Sequence, residues 1–237
     1  MIPFARISKY GNTVLPWYSG SLLAWDSTIF SSTEFTDYVG NTITVQDING
    51  AAGSATISIG TDMPYGSGVQ VKKSIIGKNG FPVQWVTSSY TLDFWHRTLI
   101  SGYTFFGAIN CLNTFSGPWA STPKYQLLND YSGSSATFKL GNNVQYYNYT
   151  AIPWNTPVWH HYCFMYDSSI NRHYLYIDGV PTAQYDVLST GGSLAAFTLC
   201  GDVYNSTPTN SAIVERYRMR AGMKYPVTGF TVQEIYS

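Results

Sequence analysis

The residues of this chain best able to do chemistry are three glutamates (Glu34, Glu215, Glu234), four histidines (His96, His160, His161, His173) and three cysteines (Cys111, Cys163, Cys200). Retaining glycoside hydrolysis needs two carboxyl groups about 5–5.5 Å apart, one ionised and one protonated. No strand pattern here carries carboxylates at i, i+2 and i+5, and no glutamate has such neighbours. His160 and His161 are adjacent in a strand pattern, so they point to opposite faces and cannot hold one metal through a shared face. Each histidine reads as a group hydrogen-bonded within the fold. No Gly-rich phosphate loop, zinc-spaced Cys/His cluster or G-x-S-x-G elbow is present. The odd, widely spaced cysteines do not form a disulfide framework. Cys163 and Cys200 fall in apolar strand patterns, where a free thiol behaves as a small hydrophobe. These patterns predict a protein that is not an enzyme.

Binding is better served. Glycan recognition needs an exposed aromatic ring for the apolar sugar face, with amide or carboxylate groups nearby for hydroxyls. Trp119, Tyr125, Asp130 and Tyr131 lie in or beside a turn-rich stretch, and Tyr146, Tyr147, Asn148, Tyr149 and Trp154 form a second cluster. Strand alternation exposes some of these rings only by burying their neighbours. Charged residues make up only 11% of the chain, against the roughly 25% usual for soluble domains. With 13 acidic and 13 basic residues there is no basic field for a phosphate backbone, which argues against a nucleic-acid partner. A low-charge surface of Tyr, Asn and Ser suits carbohydrate or a rigid assembly; the alternative is simply a β-rich protein whose strands favour aromatic and branched residues.

The elements that must position these residues are strands. A length of 237 residues fits one large all-β unit with a sizeable core. Trp159 to Gly179 reads as a hairpin and the turn that follows it. Trp159, His161, Cys163 and Met165 share one face, and His160, Tyr162, Phe164 and Tyr166 the other. Asp167, Ser168, Ser169 and Asn171 supply turn chemistry, and Asp178-Gly179 closes the second strand because Gly tolerates positive φ. Alternation predicts further strands around Leu22–Asp26, Thr42–Val45, Thr56–Ile59, Val69–Val71, Ile75–Ile76 and Tyr90–Trp95, the last with Leu92 and Phe94 inward. Others follow near Phe105–Ile109, Tyr125–Leu128, Ala136–Leu140, Val144–Tyr149, Ala183–Val187, Phe197–Leu199 and Ile213–Met219. Turns recur every 8–12 residues or so, the rhythm of a sandwich. Ile43 with Val45, and Ile57 with Ile59, mark apolar faces.

Several motifs recur in a fixed order: Leu22-Leu23-Ala24-Trp25-Asp26, then Phe35-Thr36-Asp37 with Gly40 and Thr42, then Tyr65-Gly66-Ser67-Gly68-Val69. Tyr90-Thr91-Leu92-Asp93-Phe94-Trp95, the Trp159–Gly179 hairpin, Phe197-Thr198-Leu199-Cys200-Gly201 and Ile213 to Tyr225 follow. In this order they resemble the laminin-G-like, concanavalin A-like jelly-roll domains of phage tail and virion structural proteins, over residues 21 to about 233. Glu215 and Arg216 depart from the pattern, standing where that family usually has an Asp-Glu pair. The closing MRAGMKYPVTGFTVQE is similar to the endings of such domains in phage proteins. The resemblance implies an all-β fold, a jelly-roll sandwich of two antiparallel sheets.

It also frames the functional expectations. Laminarinase-type glucanases share this fold and use E-x-D-x-x-E, which is missing here. Some relatives hold calcium at a rim of loops; the oxygens available for that here are Asp130, Asp167, Asp202 and Asn205, without a D-x-D loop. They read more simply as turn residues, so no cofactor is expected and calcium stays an alternative. Residues 1–20 read as an arm, with Ile2, Phe4, Ile7, Leu15 and Trp17 predicted to dock on a neighbouring subunit, and residues 21–237 as the sandwich. The N-terminus lacks the apolar core of a secretory signal, and no stretch has the roughly 18 apolar residues of a membrane span. The expectation is a non-enzymatic virion protein, made in a host cytoplasm and used in a tail tip, fibre or capsid decoration. Its expected partners are other virion proteins, copies of itself and host surface polysaccharide, with no membrane insertion. The alternatives are a free lectin and, more remotely, a glycan hydrolase. The candidate glycan contacts are Trp119, Tyr125, Asp130, Tyr131, Tyr147, Tyr149 and Trp154.

Overall fold

The computed structural model describes residues 16–46, 55–59, 65–72, 75–79, 88–98, 106–112, 125–132, 135–142, 145–148, 158–186, 196–201 and 211–232. Among them are sixteen strands and no helix. The first eight are β1 (Leu23–Trp25), β2 (Glu34–Thr36), β3 (Thr42–Gln46), β4 (Thr56–Ile59), β5 (Ser67–Lys72), β6 (Ile75–Asn79), β7 (Tyr90–Thr98) and β8 (Phe106–Leu112). The rest are β9 (Tyr125–Ser132), β10 (Ser135–Asn142), β11 (Gln145–Asn148), β12 (His160–Asp167), β13 (Arg172–Ile177), β14 (Val180–Asp186), β15 (Ala196–Gly201) and β16 (Ser211–Ala221).

They form two antiparallel sheets packed as a β-sandwich, the architecture that the alternation and the motif order imply. One sheet runs β14-β13-β12-β7-β16-β5-β4, with β1 also on β16; the other runs β11-β10-β9-β8-β15-β6-β3-β2. The predicted strands all appear within a few residues of their expected bounds. Ile57 differs, being 49% exposed on β4, the edge strand of its sheet.

The core between the sheets takes Leu23, Trp25, Val69, Leu92, Phe94, Tyr162, Phe164, Val214, Tyr217 and Met219 from the first sheet. Phe35, Ile43, Val45 and Ile76 face them from the second. Tyr217 stacks on Trp25 (5.3 Å, 10°) and on Phe94 (5.3 Å, 15°), so three strands are pinned by one row of rings. Each such side chain stabilises the fold by about 1.5–3 kcal/mol through burial, and truncating Trp25 to Ala would cost about 3–5 kcal/mol.

The Trp159–Gly179 hairpin forms as its sequence predicts. Asp167 Oδ1 accepts from Ser169 N (2.9 Å) and Ser169 Oγ (2.6 Å), and Asn171 takes φ 56° to finish the turn. Asp178 (φ 51°) and Gly179 (φ 78°) make the next turn with two left-handed residues, which matches the strand twist. Asp178 then caps the strand across from it, accepting from His161 N at 2.9 Å and meeting His160 Nδ1 at 2.7 Å.

The first sheet is covered on its outer face as well. Cys163, Met165 and Tyr176 are buried there beneath Tyr174, Met223, Tyr225 and Phe230. The closing segment 222–232 is tied down at both ends. Thr91 Oγ1 donates to Gly222 O (2.8 Å), Lys224 N donates to Thr91 Oγ1 (3.0 Å), and Phe230 N donates to Gly179 O (3.0 Å).

Candidate functional site

The described residues converge on one chemically unusual place, the middle of β16. Ser211–Val214 pair with β5 and Tyr217–Met219 pair with β1, while β7 runs along the other side. The register shifts between Glu215 and Arg218, and Arg216 sits at φ 49°, a left-handed conformation rare for an arginine. This is a β-bulge, one extra residue in the strand. Strict alternation would put Val214 and Tyr217 on opposite faces. The bulge lets both reach the core, each 0% exposed, and turns Glu215 and Arg216 to the opposite face of the sheet, Glu215 buried and Arg216 partly exposed.

Two strands end against this bulge, and side chains stitch them to it. Ser27, just past β1, donates its N–H to Glu215 Oε2 (3.0 Å), and its Oγ meets Ser67 Oγ of β5 at 2.7 Å. Asp26 Oδ1 accepts from Thr28 N (2.9 Å), Thr28 Oγ1 (2.6 Å) and Tyr38 OH (2.9 Å). Tyr38 is placed by a tight loop in which Asp37 takes the backbone N–H groups of Val39 and Asn41 on Oδ1 and that of Ala24 on Oδ2. Gly40, at φ 92°, permits the loop, so the Phe35-Thr36-Asp37…Gly40 motif exists to build it.

Glu215 is 2% exposed. Burial, reinforced by the negative charge of Asp26, pushes its carboxyl up to about 8, although the Ser27 N–H and Arg216 pull the other way. At neutral pH it is a neutral acid, and it lies beneath the surface, where it can shape a site but not touch a ligand.

Above it lies a platform of half-exposed rings. The turn Pro16–Ser19, closed by Ser19 N donating to Pro16 O (2.8 Å), presents Trp17 and Tyr18. Tyr18 stacks face to face on Tyr38 (4.3 Å, 2°), and Trp17 stands edge-on to both. The Arg216 guanidinium lies over the Tyr65 ring at 3.4 Å and 5.6 Å from the Trp17 ring. Tyr65 in turn meets Trp95 edge-on at 6.3 Å. Burial raises the phenols of Tyr38 and Tyr65, keeping both protonated.

A second network anchors the platform from behind. Asp93 is fully buried and binds Arg218 Nε through Oδ1 (2.9 Å) and Arg220 Nη2 through Oδ2 (3.1 Å). Tyr225 OH donates to Oδ2 at 3.2 Å. His161 Nε2 is 3.8 Å from Oδ1, too far for a hydrogen bond but close enough to act electrostatically. Burial alone would raise the Asp93 carboxyl; Arg218 first, then His161 and Arg220, reverse this and hold it well below the carboxylate range. Arg218 Nη1 also donates to Trp17 O (2.5 Å), linking the buried charges to the turn that carries the platform.

Of the glycan contacts expected from sequence, Trp119, Tyr149 and Trp154 lie outside the described residues, as do Ile2, Phe4, Ile7 and Leu15 of the arm. Tyr125, Asp130 and Tyr131 fall on β9, and Tyr147 on β11. Tyr131 pairs in register with Ala136, Asp130 with Thr137, and Tyr147 with Leu140. Trp17 packs on its own sandwich at the bulge. Asp167 spends Oδ1 on its turn, while Asp202 and Asn205 are outside the described residues. Among the described residues no three His, Cys, Asp or Glu side chains gather as a metal site. Sequence reasoning did not single out Tyr18, Tyr38 or Tyr65 as site residues. The available signal was the Glu215-Arg216 pair, already noted where the family carries a different one.

Neither a family model nor a curated protein sequence matches the chain. Solved structures do. The binding domain of botulinum neurotoxin serotype D superposes with TM-score 0.59 at 13% identity, over 87% of this chain and 49% of that one, so the chain spans about half the neurotoxin domain. Domain 4 of an extracellular arabinanase from Geobacillus stearothermophilus, solved with arabinotriose, gives 0.60 at 18% identity over 92% and 98% of the two chains. A carbohydrate esterase of the Shiga toxin-encoding bacteriophage phi24B gives 0.61 at 10% identity over 86% and 99%. At these identities the likeness is one of fold. The fold is one that carbohydrate- and receptor-binding β-sandwich domains use.

Proposed function

We propose that this chain is a non-enzymatic carbohydrate-binding sandwich, carried on a phage virion as a tail-tip, fibre or capsid decoration module, where it engages glycans of the host surface. The observation that carries this reading is the platform at the bulge, where Trp17, Tyr18, Tyr38 and Tyr65 are half-exposed and held by hydrogen bonds and ring contacts rather than left to swing. Rigid rings offer apolar area to a sugar face at low entropic cost. The nearby carboxyl groups of Asp26 and Glu215 are buried and engaged below the rings, which suits support of a binding surface better than acid–base work on a substrate. The arabinotriose-bound domain and the phage esterase lend the reading support, because both share the fold over nearly their whole length. Repeated copies on a virion would turn weak sugar contacts into firm attachment through effective concentration.

The test is binding of the labelled protein to an array of bacterial polysaccharides, with calcium and with chelator, beside Trp17→Ala. Saturable binding that weakens at least fivefold in the variant supports the platform. Absence of binding by a folded protein in either condition would overturn the carbohydrate reading. Virion placement is checked separately, by asking whether the purified chain adds to particles lacking it.

A further inference from the structure

The rings at the bulge do not stop at Tyr65. They continue over the outer face of the first sheet, across its strands. Trp95 of β7 meets Tyr65 edge-on at 6.3 Å and His161 of β12 at 5.5 Å, and the β7–β12 register sets Trp95 directly opposite His161. His161 in turn meets Phe230 of the closing segment at 6.1 Å, and Phe230 stacks on Tyr225 at 4.1 Å. Tyr65 leads into β5, and Phe230 N is bonded to Gly179 O in the turn after β13, so the row crosses β5, β16, β7, β12 and β13. Four strand intervals of ~4.8 Å make it about 19 Å long.

Two further features belong to this row. A Cβ on Gly68 of β5 would stand 2.5 Å from Ile213 Cγ2 and 3.5 Å from Trp159 Cη2. Glycine there leaves room for Ile213 to pack down, and Trp159, just before β12, lays its indole against them. The other feature is Arg218, which holds both chain ends with one guanidinium. Its Nη1 donates to Trp17 O (2.5 Å) and its Nη2 to Tyr225 OH (3.0 Å), so the platform turn and the closing segment are fixed relative to each other. Trp95, Trp159, Tyr225 and Phe230 are partly exposed, as the platform rings are.

Resting on the carbohydrate reading above, we infer that this face binds an internal stretch of a linear polysaccharide, several consecutive sugars long, with Trp17 and its tyrosines at one end and Phe230 with Tyr225 at the other. Tyrosine and tryptophan offer apolar area with a polar tip, which suits a polymer whose sugars have apolar faces and hydroxyl rims. The area is spread in a row instead of being gathered around one point. Contacts spread this way reward chain length, whereas a pocket rewards a single sugar or a chain terminus.

The experiment takes the bacterial polysaccharide bound best on the array, cuts it to size-fractionated fragments from disaccharide to octasaccharide, and measures each by calorimetry. Wild-type affinity should rise about 10- to 100-fold from disaccharide to hexasaccharide, as the burial of one or two more ring contacts predicts. That exceeds the few-fold gain that extra binding registers on a longer chain give by themselves. Reducing the terminal aldehyde to the alditol should leave hexasaccharide binding unchanged. Trp17→Ala should weaken fragments of every length, while Trp159→Ala and Phe230→Leu, which keeps an apolar cover, should cost more the longer the fragment. Affinity already level at the disaccharide, or lost on the alditol, would overturn the inference and leave the carbohydrate reading standing; neither outcome depends on a variant. An equal loss at all lengths in folded Trp159→Ala and Phe230→Leu would overturn it as well. No binding to any polymer would overturn both.

Discussion

Glu215→Gln is the perturbation that most directly tests the physics of the bulge. The folded protein holds Glu215 as a neutral acid, with its titration moved from 4.5 up to about 8. The unfolded chain gives up that proton at its ordinary value. A raised carboxylate stabilises the fold fully below the unfolded value, and the stabilisation is lost as pH rises through the folded one. Working from 4.5 and about 8, the loss between pH 6 and pH 9 is roughly 2.5 kcal/mol. For a chain of this size that is about 5–10 °C in melting temperature. Glutamine keeps an oxygen for the Ser27 N–H and cannot ionise, so the variant should melt near wild type at pH 6 and increasingly above it toward pH 9. The assay is a set of thermal and urea melts of both proteins across that range, read as their difference. His96 and His173, lowered by burial to about 3, act on the other side. Their stabilisation is present above 6.5 and fades as pH falls toward 3, and it cancels in the difference. Parallel curves for the two proteins from pH 6 to 9 would refute a protonated Glu215.

Two further perturbations address the supports of the site. Asp93→Asn leaves the buried Arg218 and the partly buried Arg220 without their shared counter-charge and should destabilise by about 3–5 kcal/mol in urea melts, a loss under 1 kcal/mol marking the network as dispensable. Gly179→Ala would set a Cβ 1.9 Å from the Phe230 carbonyl oxygen at a positive φ, so the turn and the closing segment must part. The expected loss is about 1–3 kcal/mol, with faster proteolytic nicking between Gly222 and Phe230; unchanged cleavage would show that the segment does not depend on that contact.

The parts of this fold written in local chemistry were readable from the chain. Asn171 and Asp178-Gly179 needed only their own backbone preferences to predict two turns, and the alternation of Leu92 and Phe94 placed them inward without knowledge of a partner. The platform was not readable in that way. Trp17, Tyr18, Tyr38, Tyr65 and Arg216 come from four separated segments, and only the meeting of β1 and β5 on β16 brings them together. The bulge did leave a trace, because Val214, Tyr217 and Met219 break the period of two by one residue. The covered outer face left a trace too, in that Cys163 and Met165 alternate with Tyr162 and Phe164 in a run apolar on both sides. Nothing local to that run says that residues 222–232 supply the cover. The exposure of Ile57 goes with an edge position that only the strand order reveals.

That strand order has a consequence for how the protein is made. β16, the last of the described strands in chain order, lies between β7 and β5 and also carries β1. Until residue 221 is available, one side of β7 and one side of β5 stay open, with ladder groups and apolar side chains exposed to any passing strand. The sandwich cannot assemble stepwise as it emerges; it must wait and then thread its final strand into the middle. Long-range closure of this kind is slow and prone to aggregation on the way. Charges on the waiting edge, Asp93 and Arg97 on β7, discourage wrong pairing in that interval. The same Asp93 later neutralises Arg218 and Arg220.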